Sequence, residues 1–320
     1  MLKNGLPELI FDKQQFENIY KLKIPFEINA VSNPLNIRKN SIVFVLDLTD
    51  KIIKNINSTT ENIIFIPKDS DTSSLCAEKN IIIESINPKF EYIRCLQKTI
   101  HQESSPYNKA SLGNGISDKA YVSPDAKIGT GVNIHPFSYV GPNCSLDDEV
   151  ILLPGANLIQ NVQVGKGSII GSNTTIGAMG FALERDNKKK REVISFNGRP
   201  YQLPHYGGVI IGKECHIASN TTVVSGSIEP TIIEDYVHVD DHVHIAHNCH
   251  VKEGSLVVAC AEVSGSVVLG KESWIGPNAA IMQKVEIGDQ TIVGLGAIVL
   301  KSTDPGSIMV GNPAKNIKKD

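Results

Sequence analysis

The chain has 320 residues, of which 41% are hydrophobic and 20% are charged, with a formal net charge of −3. This composition indicates a folded protein with a large core and excludes disordered and collagen-like chains. The charge gives no basic surplus for binding nucleic acid, and no run of about 18 apolar residues predicts a membrane span. The first residues lack the apolar core of a signal peptide, so we expect a cytoplasmic protein with reduced cysteines.

Residues 1–110 predict a small α/β domain. Short β-rich runs alternate with predicted helices; the runs are Ser41–Leu46, Asn62–Ile66 and Asn80–Glu84, and the helices are near Asp12–Leu22, Leu48–Ile56 and Phe90–Gln102. Residues 103–115 have the Ser, Pro, Gly and Asn content of a linker. The first domain therefore ends where a different pattern begins.

The pattern of residues 111–303 is a six-residue repeat. Every sixth residue from Ile116 to Ile176, from Ile211 to Val223 and from Ile233 to Val299 is Ile, Val or Leu, and a small or β-branched residue follows four positions later. This period predicts a mainly β protein, a parallel β-helix in which three hexads of about 18 residues form one triangular coil. Cys144, Cys215 and Cys249 fall on the small inward position, so we expect them to pack in the core.

Two segments interrupt the period, and both are expected to leave the prism at one corner. The long insertion 177–209 and the short one at 229–232 each follow a hexad on the same side of the triangle, which also carries the hexad of Ile245. Loops gathered on one edge of a rigid scaffold often bind ligands. Lys188–Arg191 in the long insertion either holds a diphosphate or is merely solvated. Residues 304–320 form a C-terminal tail.

The segment from His238 to His250 contains five histidines and raises the question of a metal site. His238, His244 and His250 occupy the same hexad position, so they lie on different faces and cannot share one ion within a subunit. A metal shared between subunits, as in prism-shaped carbonic anhydrases, is an alternative. We expect no metal.

His247 is the strongest candidate for a catalytic group. It follows the hexad of Ile245, on the side of both insertions, and Asp240 and Asp241 are close enough in sequence to orient its imidazole. A neutral histidine held by a carboxylate is an effective general base. Gly265 is 18 residues further on, so stacking is expected to place it about 5 Å from His247, where its N–H could stabilise an oxyanion. Alternatively, His247 is a surface histidine and Gly265 a turn glycine.

These residues carry a resemblance to a known family. Residues 116–303 resemble the left-handed β-helix, hexapeptide-repeat acyltransferases, and residues 177–302 are most similar to the UDP-3-O-acylglucosamine N-acyltransferases of lipid A assembly. The matching pieces are Gly180-Phe181, Gly207–Gly212, Asn220–Thr222 and Val239–Asn248. The small domain in front of the prism is placed like the uridine-binding domain of that family, which implies nucleotide binding.

The resemblance implies a direct acyl transfer without a resident cofactor. His247 matches the catalytic base of the family, Asp240 the acid near it, and Gly265 the glycine whose amide faces the thioester carbonyl. Substrate contacts are expected from the neighbouring residues Asp241, His242 and Asn248. Such enzymes are homotrimers with each site in a cleft between neighbouring prisms.

Three departures from the family affect the predicted donor. Lys284 replaces a second histidine, the aromatic pair that sandwiches uracil is not evident around residues 42–45, and a C-terminal helical extension for acyl carrier protein is absent. Instead, Val310–Lys315 is similar to the ending of CoA-dependent acetyltransferases of nucleotide-linked amino sugars. Gly265, Lys284 and Lys301 are therefore expected to bind CoA.

The sequence predicts transfer of an acetyl or short acyl group from CoA to the amine of a nucleotide-linked amino sugar. The alternative is a lipid A enzyme that acylates UDP-3-O-acylglucosamine from acyl carrier protein. A metal-dependent hydratase of similar shape and a non-catalytic nucleotide-sugar-binding prism are further alternatives from other classes.

Overall fold

The structure, a computed structural model, describes residues 10–76, 79–101, 115–186 and 198–318. The chain divides into two compact units, Met1–Asn108 and Lys109–Asp320. Within the described ranges, no helix has the length and apolar character needed to cross a membrane.

The first unit is a parallel sheet covered by helices on both sides. Its elements in chain order are β1 (Ile10–Phe11), α1 (Lys13–Tyr20), β2 (Ala30–Val31), β3 (Ser41–Phe44), α2 (Asp50–Asn57), β4 (Ile63–Pro67), β5 (Ile81–Ser85), α3 (Pro88–Thr99) and β6 (Ile100–His101). The sheet has the order β2-β3-β4-β5, and β1 pairs antiparallel with β6. The Asp12 and Asn87 side chains cap the N-termini of α1 and α3. The predicted helices and strands are confirmed, with boundary shifts of up to three residues.

The core of this unit lies on both faces of the sheet. Ile42 and Ile63 pack with Phe16 of α1 and Cys95 of α3 on one face. The alternate strand residues pack on the other face, where Ile56 of α2 joins them. This alternation follows from the two-residue period of a strand, because successive side chains point to opposite sides.

The second unit is a triangular prism of short strands. Its strands in chain order are β7 (Tyr121–Val122), β8 (Lys127–Ile128), β9 (Asn133–Ile134), β10 (Tyr139–Val140), β11 (Ser145–Leu146), β12 (Ile151–Leu152), β13 (Asn157–Leu158), β14 (Val162–Val164), β15 (Ile169–Ile170), β16 (Thr175–Ala178), β17 (Leu183–Arg185), β18 (Pro200–Gln202), β19 (Val209–Ile211), β20 (His216–Ile217), β21 (Thr222–Val224), β22 (Thr231–Ile233), β23 (His238–Val239), β24 (His244–Ile245), β25 (His250–Val251), β26 (Leu256–Val257), β27 (Glu262–Val263), β28 (Val268–Leu269), β29 (Trp274–Ile275), β30 (Ala280–Ile281), β31 (Glu286–Ile287), β32 (Ile292–Val293), β33 (Ile298–Val299), β34 (Ile308–Val310) and β35 (Lys315–Asn316).

Three sheets form the sides of the prism. Face 1 has nine strands from β7 to β33, face 2 has eight strands from β8 to β31, and face 3 has ten strands from β9 to β35. Successive strands of a face pair in parallel, except that β34 and β35 pair antiparallel at the end of face 3. Residues 18 apart are partners in the regular coils; for example, Ile245 pairs with Val263. The mainly β fold, a parallel β-helix, is therefore as the six-residue period predicts.

The hexad side chains form one continuous core along the prism axis. It includes Ile245, Val263 and Ile281 from successive coils of face 1, which are fully buried. Cys144, Cys215 and Cys249 lie in the same core, which confirms that they are packing residues. The hexad side chains must lie in this apolar, closely packed interior. Their positions in the sequence therefore determine the corner at which each polar turn residue lies.

Candidate active site

Both insertions leave the prism at the corner between faces 1 and 2, as predicted. The long one follows β16 and returns at β19, and the short one lies between β21 and β22. The two insertions are hydrogen-bonded to each other, since Tyr206 N donates to Ser227 O at 2.9 Å and Gly207 N to Gly226 O at 2.9 Å. They make a raised rim next to the corner that follows β24.

His247 lies at this corner, half-buried, directly after β24. Its Nδ1 is 3.1 Å from Oδ1 of Asn248. The orientation of the Asn248 amide is fixed on both sides, because Nδ2 donates to Glu229 O at 2.9 Å and Oδ1 accepts from Ser227 N and Oγ. Oδ1 can only accept, so Nδ1 of His247 carries the hydrogen and Nε2 keeps its lone pair. The short insertion thereby selects the tautomer that a general base needs.

Gly265 lies one coil beyond His247, against its imidazole. A Cβ atom added at Gly265 would be 2.7 Å from Nε2 of His247, so a side chain has no room here. Ser264 N donates to Ile281 O and Ser266 N to His247 O. Between them, the Gly265 N–H has no hydrogen-bond partner among the described residues. The corner therefore combines a basic nitrogen with a free N–H donor, as the 18-residue spacing predicts.

A second histidine, His205, joins this site from the long insertion and was missed by sequence reasoning. It is 3% exposed, and its ring is edge-to-face with that of His247 at a centroid distance of 5.6 Å. The only sequence signal is its place two residues before Gly207, where the insertion closes. Because the six-residue period stops at residue 177, it does not predict the position of any residue inside the insertion.

Three predicted site residues lie elsewhere on the chain. Asp240, Asp241 and His242 occupy the turn between β23 and β24, which is the corner between faces 3 and 1. Asp240 accepts hydrogen bonds from Asp241 N and Ala259 N, and Asp241 accepts from Ser219 N. The expectation that either aspartate orients His247 is wrong for a single chain, in which Asn248 takes this role. His247 follows Asp240 by seven residues, and one side of the prism takes six residues, so the two residues lie at successive corners.

Lys284 and Lys301 share the corner with His247. Lys284 N donates to Gly265 O at 3.0 Å, and Lys301 is in register with Gly265 two coils further along the prism, about 10 Å away. Both side chains are exposed. The basic run Lys188–Arg191 lies outside the described residues.

The histidine-rich segment has the geometry that its spacing predicts. His238, His244 and His250 belong to β23, β24 and β25, which are strands of three different faces. In the part of the chain that the structure describes, no group of three or more His, Cys, Asp or Glu side chains is arranged to hold a metal ion.

The chain is similar over most of its length to known acyltransferases. It is 34% identical over 305 residues to the UDP-3-O-acylglucosamine N-acyltransferase of Coxiella burnetii, covering 88% of this chain and 81% of the relative. The enzyme of the same name from Hahella chejuensis is 30% identical over 156 residues, 48% of this chain and 42% of that protein. No family model matches the chain. The chain belongs to the UDP-3-O-acylglucosamine N-acyltransferase family.

Solved structures agree with the fold of this family member. The UDP-N-acetylglucosamine acyltransferase of Campylobacter jejuni aligns with a TM-score of 0.54 at 23% identity, covering 63% of this chain and 73% of that one. LpxA of Acinetobacter baumannii aligns with a TM-score of 0.55 at 22% identity over the same shares. Membership makes the chain an acyltransferase, and the neighbours fit its left-handed β-helix.

The N-terminal unit of this acyltransferase contains a cavity of about 630 Å³. Asn33, Phe44, Asp47 and Tyr92 are among its lining residues. The Phe44 and Tyr92 rings are 4.9 Å apart and tilted by 47°. Burial, followed by the neighbouring Cys95, raises the pKa of Tyr92, which keeps its hydroxyl protonated. Sequence reasoning missed this aromatic pair because Tyr92 comes from α3, far along the chain from β3.

Proposed function

We propose that the protein acylates the amine of UDP-3-O-acylglucosamine, using a phosphopantetheine thioester as the acyl donor. The observation that carries this proposal is the contact of Nε2 of His247 with Gly265, while Asn248 accepts the hydrogen bond from Nδ1 and thereby assigns the tautomer. A base next to an unpaired N–H donor is the arrangement that acyl transfer to an amine requires.

The proposed reaction proceeds through one tetrahedral intermediate. The sugar amine attacks the thioester carbonyl carbon and forms the C–N bond, while Nε2 of His247 takes a proton from the amine. The carbonyl oxygen becomes an oxyanion and accepts a hydrogen bond from Gly265 N–H. The C–S bond then breaks, the thiolate receives the proton from Nε2, and the products are an amide and a free thiol.

The relatives support UDP-3-O-acylglucosamine as the acceptor. The Coxiella enzyme that carries this substrate in its name matches 88% of the chain, and this favours the alternative in the sequence prediction over other nucleotide-linked amino sugars. Both CoA and acyl carrier protein present the acyl group on phosphopantetheine. In this proposal, Lys284 and Lys301, along the corner beyond Gly265, attract its phosphate.

A second candidate is transfer of an acetyl or short acyl group from CoA to another nucleotide-linked amino sugar. The C-terminal segment favours it, since Val310–Lys315 resembles the ending of CoA-dependent acetyltransferases. In the structure this segment continues face 3, where β34 pairs antiparallel with β35. The two candidates share the base and the oxyanion donor and differ in donor and acceptor.

The cavity of the N-terminal unit is proposed as the site of the uracil ring. The Phe44 and Tyr92 rings offer a surface on which a base can stack, and Asn33 offers an amide that can pair with its polar edge. Nucleotide binding by the first domain is thus supported by two aromatic rings and an amide in one cavity.

We further propose a homotrimer in which subunits share each site. Asp240 and His242 lie at one edge of face 1 and His247 at the other, so one chain cannot bring them together. A neighbouring prism can place its Asp240 edge opposite His247. Asp241, His242 and Asn248 then remain candidates for substrate contacts.

A product analysis by mass spectrometry tests the function. The purified protein is incubated with UDP-3-O-acylglucosamine or another nucleotide-linked amino sugar, and with hydroxyacyl carrier protein, the same acyl group on CoA, or acetyl-CoA. We expect an N-acylated product of UDP-3-O-acylglucosamine. The acetyl-CoA product on another sugar would support the second candidate, and no product with any pair would overturn both.

His247→Ala is the matched negative control. We expect it to abolish product while the protein keeps its circular dichroism spectrum, because the side chain is outside the packed core. His244→Ala, which removes an exposed imidazole from the same strand, is expected to keep activity.

A further inference from the structure

His205 is held in a single orientation inside the long insertion. Its Nδ1 is 2.9 Å from Leu203 O, which can only accept, so Nδ1 carries the hydrogen. Nε2 therefore bears the lone pair, and it is buried without a hydrogen-bond partner within the described ranges. The hydrogen bond from Nδ1 to Leu203 O thus aims the His205 ring that packs against His247.

Gly180 makes the space that the His205 ring occupies. A Cβ atom at Gly180 would be 2.6 Å from Nε2 of His205 and 3.0 Å from Val224. The start of the insertion therefore packs directly on the residue near its end. The backbone bond from Tyr206 N to Ser227 O fixes the chain immediately after His205.

The imidazole of His247 is consequently held from three sides. Asn248 binds Nδ1, Gly265 adjoins Nε2, and the His205 ring packs against the imidazole edge-to-face at 5.6 Å. Rotation about the Cβ–ring bond would break the hydrogen bond between Nδ1 and Asn248. The His205 ring is a further contact against the imidazole, and it opposes this rotation.

We propose that His205 is a positioning residue that holds the His247 imidazole in its base-competent orientation. The proposal rests on the proposed function, in which Nε2 of His247 takes the proton of the amine. Histidine suits this position because it combines a small aromatic ring, which fits against Gly180, with a ring N–H that aims the ring through Leu203 O. Phe lacks the hydrogen bond, and Asn lacks the ring.

Substitutions at position 205 separate these two properties. We expect His205→Ala to lower kcat by about 10- to 100-fold with KM changed less than about 2-fold, because a misplacement of about 1 Å in a reacting group has an effect of this size. His205→Phe should recover part of kcat, and His205→Asn should resemble Ala. Tyr201→Ala, an exposed position in the same insertion, is the matched control and is expected to behave like wild type.

Nitrogen-15 NMR of ring-labelled histidines gives a readout that does not depend on activity. The His247 signals, identified by their loss in His247→Gln, should show one Nδ1–H tautomer in wild type and a mixture of tautomers in His205→Ala. Thermal unfolding identifies any variant that fails to fold, in which case His205→Asn is used instead.

The outcomes separate this proposal from the proposed function. A wild type that transfers no acyl group contradicts the function, and the NMR comparison then decides the positioning role alone. With an active wild type, kcat within about 2-fold in His205→Ala overturns the proposal. An unchanged His247 tautomer in that variant overturns it in either case.

Discussion

At the scale of single residues, Asn248 determines which ring nitrogen of His247 carries the hydrogen. A carboxylate in its place would be the usual partner of a catalytic histidine, but the amide provides orientation without charge. Its Nδ2 is bound to Glu229 O and its Oδ1 accepts from Ser227, so the short insertion determines the amide orientation. The left-handed backbone of Asn248, with φ of 59°, recurs at Ser266 and Lys284 in the next two coils, where it forms the same corner.

Asn248→Asp tests the role of this amide. The carboxylate would stabilise the protonated imidazole, so a larger fraction of His247 is unable to act as a base at neutral pH. We expect the acidic limb of the kcat/KM profile to move to higher pH by about one unit, with activity recovering at alkaline pH. An unmoved limb in a folded variant would show that Asn248 does not contact the functional base.

Gly265→Ala tests the close approach of the backbone to His247. The new methyl group would lie 2.7 Å from Nε2, so the imidazole must move away from the proton it is to receive. We expect kcat to fall by about 100-fold with the fold retained. Ser266→Ala changes the adjacent residue without adding an atom near Nε2, and it should keep activity; equal losses in both would contradict the assignment.

At the scale of elements, the strands of face 1 determine where the site residues lie. Ile245 and Val263 are fully buried partners in adjacent strands, and His247 and Gly265 follow them by two residues each. The apolar pattern was therefore sufficient to predict this pair. It also places Asp240 at the preceding corner, because Asp240 follows β23 and His247 follows β24, so nearness in sequence does not bring the two side chains together. His205 and Tyr92 lie outside the repeat, so only the folded insertion and the folded first domain reveal their positions.

Ile245→Ala measures the contribution of one hexad. Removing a fully buried Ile side chain is expected to lower the free energy of unfolding by about 2–5 kcal/mol. Urea denaturation followed by circular dichroism measures this change. Met282→Ala, at a position that is 45% exposed, should change it by less than about 0.5 kcal/mol. Equal effects would contradict the burial of the hexad.

For the whole molecule, burial in the cores of the two units separates the thiols into two classes. Cys76 and Cys260 are exposed, whereas Cys95, Cys144, Cys215 and Cys249 are buried. Burial raises the pKa of Cys95 and Cys215 to about 11 and that of Cys249 to about 12. The buried thiols therefore stay protonated and unreactive at pH 8, since the thiolate is the reactive form.

A thiol titration with Ellman's reagent checks this separation. We expect Cys76 and Cys260 to react in the folded protein at pH 8, and all 6 cysteines to react in denaturant. Cys249→Ser should leave the folded reading unchanged. Rapid reaction of a third thiol in the folded wild type would contradict the closed core.

Mixed oligomers test whether neighbouring subunits share a site. His247→Ala and Asp240→Ala are each expected to be inactive alone. If one subunit supplies Asp240 and its neighbour His247, co-expression should restore activity at about one quarter of the sites. Activity that stays at background in confirmed mixed trimers would contradict a site shared between subunits.

Because the prism consists of stacked coils, the distance between two groups on the same corner is a whole number of coil spacings. Groups on the His247 corner can be brought closer or moved apart only in increments of one full coil, about 4.8 Å, because any shorter deletion rotates every downstream side chain to another side. Excising 18 residues between Gly265 and Lys301 would preserve all orientations while shortening the span offered to an elongated ligand. The length of ligand that this corner accommodates can therefore change by whole coils while the side chains of the site keep their orientations.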